Sequence, residues 1–118
     1  SRAMADPEVM KIFSLPAQKS EVWMERSFAY QKEGKMVQGI FDRVVLSLSE
    51  SDEIMAAEII DFKTDRPGKD VGLDQLVDRY RGQLESYRSA LVRLTGLPEN
   101  KIRMTLLFTS IPQLFSWD

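Results

Sequence analysis

The sequence predicts an α/β domain built on a mixed central β-sheet with flanking helices. Two observations carry that reading. Stretches of strand length rich in aromatic and β-branched residues recur at 21–31, 36–48, 54–64 and 102–109, with turn residues between the first three. Between the third and fourth, Leu73, Leu76, Val77, Tyr80, Leu84, Tyr87, Leu91 and Leu94 repeat at helical spacing for about six turns. A strand, a long helix and a second strand in succession imply a parallel pair joined by a right-handed crossover.

Taken in order, Asp6-Pro7-Glu8-Val9-Met10-Lys11-Ile12-Phe13 reads as a short helix. Asp is a good N-cap, Pro is tolerated at the first helical position, and Val9, Ile12 and Phe13 share a side before Pro16 ends it. Val22, Trp23, Phe28 and Tyr30 suit a first strand, and Lys32-Glu33-Gly34-Lys35 suits a turn. In the second strand Ile40, Val44, Leu46 and Leu48 fall on the parity of Asp42, which sets a carboxylate among core-type residues. Ser49-Glu50-Ser51-Asp52-Glu53 is a polar turn, so strands two and three should form an antiparallel hairpin with Asp42 and Asp61 on neighbouring strands. Gly96 and Pro98 stop the long helix. Residues 111–117 form either a last edge strand or a cut end.

At 118 residues the chain is of single-domain size, and its 43% hydrophobic and 29% charged composition is that of an ordinary globular protein. No apolar run reaches the length of a membrane span, so a cytoplasmic protein without membrane contact is expected. Ser1-Arg2-Ala3-Met4 lacks the apolar segment of a signal peptide and is compatible with an added scar ahead of a native or cut-out segment. The absence of cysteine excludes disulfides and cysteine-held zinc or iron–sulfur clusters. The absence of histidine leaves carboxylates, lysine, hydroxyls and hard metal ions for any chemistry. Net charge is −2, but residues 63–103 carry nine Lys or Arg against six Asp or Glu, so a phosphate-binding face would lie there.

The chemistry concentrates at Ile59-Ile60-Asp61-Phe62-Lys63-Thr64, an apolar strand that closes on two charged residues. Side chains two apart on a strand share a face, so Asp61 and Lys63 project together, roughly 6–7 Å apart along the chain, with Ile60 and Phe62 opposite. Asp42, Asp61 and the Phe62 carbonyl are hard oxygen donors suited to Mg²⁺ or Mn²⁺, and Lys63 can orient a water or offset charge developing on phosphorus. Gln83 and Tyr87, one helical turn apart, could contact a ligand, the attacking water or the lysine. Each piece also has a plainer reading. Asp42 alone is more often a salt-bridged or strand-end carboxylate. Gln83 alone is more often a hydrogen-bonded amide at the core edge, and Tyr80 and Tyr87 core aromatics with wet hydroxyls. Arg79, Arg81, Arg88 and Arg93 read as the solvated helix face. Of three acid-x-Lys triplets, those at Glu33 and Glu99 sit in turns and only that at Asp61 closes a strand.

In combination, Gly39-Ile40-Phe41-Asp42-Arg43, then Asp61-Phe62-Lys63-Thr64, then Tyr80-x-x-Gln83-Leu84-x-x-Tyr87 resemble the PD-(D/E)XK nuclease superfamily. The likeness is to the RecB-like and AddA-like exonuclease domain, of exonuclease V type, at the C-terminus of helicase–nucleases. The resemblance implies a restriction-endonuclease-like core over about residues 6–110. It also implies metal-binding roles for Asp42 and Asp61 with the Phe62 carbonyl, the active-site lysine at Lys63, and Gln83 and Tyr87 beside the site. Glu25, in Trp23-Met24-Glu25-Arg26-Ser27-Phe28, matches the family's opening strand as a weaker accessory acid, with Ser27 where proline is common. The expected activity is Mg²⁺-dependent exonucleolytic hydrolysis of DNA in double-strand-break repair, by a single domain that is a C-terminal piece of a longer protein. The expected partners are DNA, a helicase region in the same polypeptide or complex, and a second nuclease or helicase subunit. The sequence departs from the family in lacking the upstream histidine of many active members, which keeps open a catalytically silent domain that binds DNA or a partner.

Overall fold

A computed structural model describes residues 19–68 and 70–118; the helix expected at Asp6–Phe13 lies outside the described residues. Five strands form one sheet in the order β1-β2-β3-β4-β5: β1 (Ser20–Lys32), β2 (Lys35–Leu48), β3 (Ile54–Lys63), β4 (Ile102–Phe108) and β5 (Gln113–Trp117). The helix α1 (Leu73–Thr95) joins β3 to β4, and a 3₁₀ turn (Glu99–Lys101) precedes β4. β3 and β4 run parallel while every other neighbouring pair is antiparallel, so the sheet is mixed, as expected. Residues 111–117 resolve into an edge strand rather than a loose end, β5 pairing with β4 from Met104↔Trp117 to Phe108↔Gln113.

The turns follow from local chemistry. Glu33 and Gly34 both have positive φ, 52° and 78°, the pair that a two-residue hairpin needs to match strand twist. Gly96, at φ 78°, ends α1 in the left-handed conformation and its N–H bonds the Val92 carbonyl at 2.9 Å. At the other end of α1 the Gln75 Oε1 accepts the Gly72 N–H at 2.9 Å.

One sheet face carries the main core. Leu76, Leu84, Ala90 and Leu91 of α1 pack on Ile59, Met104, Leu106 and Phe108, with Phe28, Phe41, Val44 and Leu46 continuing the cluster across β1 and β2. Leu94 departs from the expected apolar stripe and is half exposed, whereas Ala90 is buried. The opposite face holds Phe62, Leu107 and Leu114 together, beside a hydrogen-bonded row in which the Thr105 hydroxyl donates to Glu58 at 2.6 Å and meets the Ser116 hydroxyl at 2.9 Å.

One expectation about β2 needs correction. Strict alternation would put Ile40 on the face of Val44 and Leu46. Instead Ile40 is 55% exposed and Phe41 is fully buried in the same core as Val44 and Leu46. β1 changes parity at the same level, Trp23 facing the core that Phe28 and Tyr30 face. The two changes straddle Glu25 and Asp42, opposite each other in the register; Glu25 has φ 47°, and a left-handed residue in an extended chain breaks the alternation of faces. β2 and β3 form the expected antiparallel hairpin, over part of the length of β2. The ladder runs from Leu48↔Ile54 to Arg43↔Ile60 and stops, so the strands part at Asp42 and Asp61.

Candidate active site

The site lies in that fork. Where the β2–β3 ladder ends, the Asp42 Oδ2 accepts the Phe62 N–H at 2.9 Å, so a side chain replaces the backbone partner that β2 no longer offers. Asp61 is buried at 3% exposure, and the Lys63 Nζ lies 3.0 Å from its Oδ2. The carbonyl end of β3 is fixed by the loop after β4: the Thr109 N–H bonds the Lys63 carbonyl at 2.9 Å and the Ser110 hydroxyl donates to the Thr64 carbonyl at 2.7 Å. Phe62 turns to the opposite sheet face, as period-two alternation requires.

Gln83 has the partners that a polar residue at the core edge needs. Its Oε1 accepts from the Lys63 ammonium at 3.1 Å and its Nε2 donates to the Tyr87 hydroxyl at 3.1 Å. Asp61, Lys63, Gln83 and Tyr87 thus form one chain of polar contacts from sheet to helix. Tyr87 is braced edge-on by Phe28 and Phe41, at ring separations of 5.7 Å each. Gly39 makes room for this: a Cβ there would stand 2.7 Å from Phe28 and 3.2 Å from Tyr87. The glycine of the Gly39-x-x-Asp42 spacing is therefore required by ring packing rather than by a turn. Glu25 is exposed on β1, and no hydrogen bond or ion pair to the site is found for it among the described residues.

Electrostatics single out Asp61. Burial first, then the hydrogen bond that the protonated carboxyl donates to Asp42, raise its pKa from 3.8 to about 6 against the opposing pull of Lys63. Lys63 moves the other way from its burial. Desolvation alone would lower its pKa, but the hydrogen bond and charge of Asp61, with Tyr80 and Asp42 adding, leave it raised. Lys63 is thus a permanent cation at neutral pH. The Tyr87 hydroxyl is also raised, by burial first and then by the charge of Asp61.

The donors fit a hard divalent cation. Two carboxyls within hydrogen-bonding reach of each other, one of them resisting ionisation, are a pair that positive charge would stabilise. The Asp61 Oδ2 is buried, with the Lys63 ammonium 3.0 Å away. Among the described residues no group of three or more carboxylate, histidine or cysteine side chains converges.

The sequence reading missed the other side of Lys63. The ammonium stands 4.3 Å from the centre of the Tyr80 ring, and the Tyr80 hydroxyl donates to Asp65 Oδ2 at 2.9 Å. Tyr80 precedes Gln83 by three residues on α1, and that spacing was the available signal. The arginines of α1 are also more than a solvated face: Arg81 lies 5.3 Å from the Trp117 ring and Arg93 4.7 Å from that of Tyr30.

The class that fold and site define is an α/β domain consistent with a nuclease-like core, with a carboxylate pair and a lysine at a strand fork. Comparison with known proteins narrows it. The chain is 39% identical over 79 residues, 63% of its length, to an ATP-dependent helicase/nuclease subunit of Limosilactobacillus fermentum. It is 31% identical over 97 residues, 82% of its length, to the protein of the same name from Clostridium acetobutylicum. These likenesses support a helicase–nuclease family, and the chain spans only 5% and 7% of the length of those relatives. No protein-family model matches the chain. No helix among the described residues is long and apolar enough to cross a membrane.

Proposed function

We propose that this chain is a nuclease domain of the PD-(D/E)XK type, hydrolysing DNA phosphodiester bonds with Mg²⁺ or Mn²⁺ as an exonuclease in a DNA-end-processing helicase–nuclease. The observation that carries this reading is the convergence of Asp42, Asp61, Lys63, Gln83 and Tyr87 on the fork between β2 and β3. The name shared by the two relatives, an ATP-dependent helicase/nuclease, supports the larger setting of this reading. That setting is a helicase region in the same polypeptide or complex, a second subunit, and work on DNA ends in the cytoplasm.

Asp42 and Asp61, with the Phe62 carbonyl, would hold the metal. The bound ion supplies an acidified water and offsets charge on the scissile phosphate. The protein's own groups do the rest. Asp42 is held by the Phe62 N–H, which fixes one carboxylate oxygen and leaves the pair oriented into the fork. Lys63, kept protonated by Asp61, acts as a hydrogen-bond donor and positive charge rather than as a base. Gln83 holds the ammonium from the helix side and is itself held by Tyr87, so the donor needs little reordering when a phosphate arrives.

A second reading, a silent nuclease-like domain that binds DNA or a partner, is favoured by one observation: among the described residues no third acidic or histidine side chain joins Asp42 and Asp61. Degradation of end-labelled linear DNA with Mg²⁺ separates the two, using the chain and the longer helicase–nuclease expected to carry it. Lys63→Ala should cut 10²–10³-fold more slowly, roughly the loss typical of one deleted charge-stabilising donor, while still binding DNA. A longer protein that cuts equally fast with Lys63→Ala removes the lysine from the mechanism. One that shows no metal-dependent cutting favours the silent domain.

A further inference from the structure

The geometry points to Tyr80 as the positioning residue of the Lys63 ammonium, with Asp65 as the anchor that holds the tyrosine ring in place. This rests on the nuclease reading for its use in catalysis, but the contact itself is independent of that reading. Lys63 has one carboxylate neighbour, Asp61 at 3.0 Å, and one amide neighbour, Gln83 at 3.1 Å. Those two would leave a flexible four-carbon side chain free to swing about them. The Tyr80 ring, 4.3 Å from the Nζ, closes the third side without taking a hydrogen-bond donor, because a ring face attracts a cation through its quadrupole. At least one N–H therefore stays available for a water or a phosphate oxygen.

The ring is itself restrained at both ends. Its ring neighbour in the core is Phe108, with ring centres 6.4 Å apart and planes tilted by 53°, and β3 and β4 set Phe108 directly opposite Lys63 in the sheet register. Its hydroxyl donates to Asp65 Oδ2 at 2.9 Å, two residues beyond Lys63, where the chain has left the strand for the loop to α1. Tyr80 and Gln83 lie three apart on α1, so one helical turn presents both the ring and the amide to the same ammonium. Asp65 thus fastens the start of the loop to the helix turn that holds the lysine.

The test is side-chain NMR of the ¹³C,¹⁵N-labelled chain in metal-free buffer, joined to kinetics with Mg²⁺. A lysine seated on a ring face has ε-methylene protons shifted upfield by the ring current, a signature that general loss of stability would not mimic. Wild type should show the shift at Lys63; Tyr80→Phe and Asp65→Ala, which each remove the bond between ring and anchor, should both keep it in reduced form, and Tyr80→Leu should return it to the ordinary lysine position. In DNA degradation Tyr80→Leu should lower kcat roughly 10-fold with KM little changed, and Tyr80→Phe should recover most of it. An ordinary Lys63 position in wild type, or one unmoved by Tyr80→Leu, overturns the proposal. So does an unchanged kcat in Tyr80→Leu where Lys63→Ala is inactive. If wild type cuts no DNA, the nuclease reading falls and the NMR shift alone decides whether Tyr80 holds the ammonium.

Discussion

Asp61→Asn should make the metal-free protein more stable, and more so at higher pH. Asp61 is 3% exposed and its pKa is raised from 3.8 to about 6, by burial first and by the Asp42 carboxyl second. The folded state therefore holds a proton between about pH 4 and pH 6 that the unfolded chain releases, so stability falls as pH rises through that window. Above it the ionised carboxylate costs the fold about 3 kcal/mol, at 1.36 kcal/mol for each unit of the shift. Asparagine keeps the shape and one acceptor without the charge, and Lys63 retains Gln83 as a partner. Urea denaturation in EDTA should give the variant an advantage of up to about 3 kcal/mol at pH 8 and little or none below pH 4. Added Mn²⁺ should reverse the order at pH 8, because binding to the native carboxylates stabilises wild type alone. A variant less stable than wild type at pH 8 without metal, or a difference independent of pH, would refute the reasoning.

Three further substitutions probe the supports of the site. Gly39→Ala forces a Cβ to within 2.7 Å of Phe28 and 3.2 Å of Tyr87, and should destabilise by about 1–3 kcal/mol in denaturant titrations. Gly96→Ala, at φ 78° after the last turn of α1, should cost about 1 kcal/mol in the same assay and leave metal binding unchanged. Gln83→Leu removes the acceptor 3.1 Å from Lys63 and the donor to Tyr87; single-turnover kinetics should show slower cutting of bound DNA with DNA affinity retained.

The strands and long helix were legible because their signals are local. Alternation in β3 places Asp61 and Lys63 together and Phe62 opposite, and the apolar arc of α1 leaves Gln83 at an edge where an amide must find partners. The geometry brings together Asp42, Asp61, Lys63, Gln83 and Tyr87, all five drawn from the sequence. What could not be read was set by contacts between distant segments. The face change in β1 and β2 depends on a left-handed Glu25, which no periodicity announces, and it turned Ile40 outward against expectation. The hold of Asp65 on Tyr80 joins a loop to a helix across 15 positions, and Arg81 meets Trp117 only because β5 returns along the edge of the sheet. Tyr80 reads as core in sequence because it lies on the apolar stripe, and only its spacing of three from Gln83 hints at the cation above the ring.

The central claim is that Asp42 and Asp61 together hold a divalent cation, and calorimetric titration of Mn²⁺ into the chain tests it most directly. Wild type should bind with a resolvable heat. Asp61→Ala and Asp42→Ala should each lose it, the latter checked for retained sheet content because Asp42 also accepts the Phe62 N–H at 2.9 Å. Lys63→Ala should keep it, since its ammonium competes with the metal for Asp61 rather than ligating it. Equal Mn²⁺ affinity in wild type and Asp61→Ala would contradict the account.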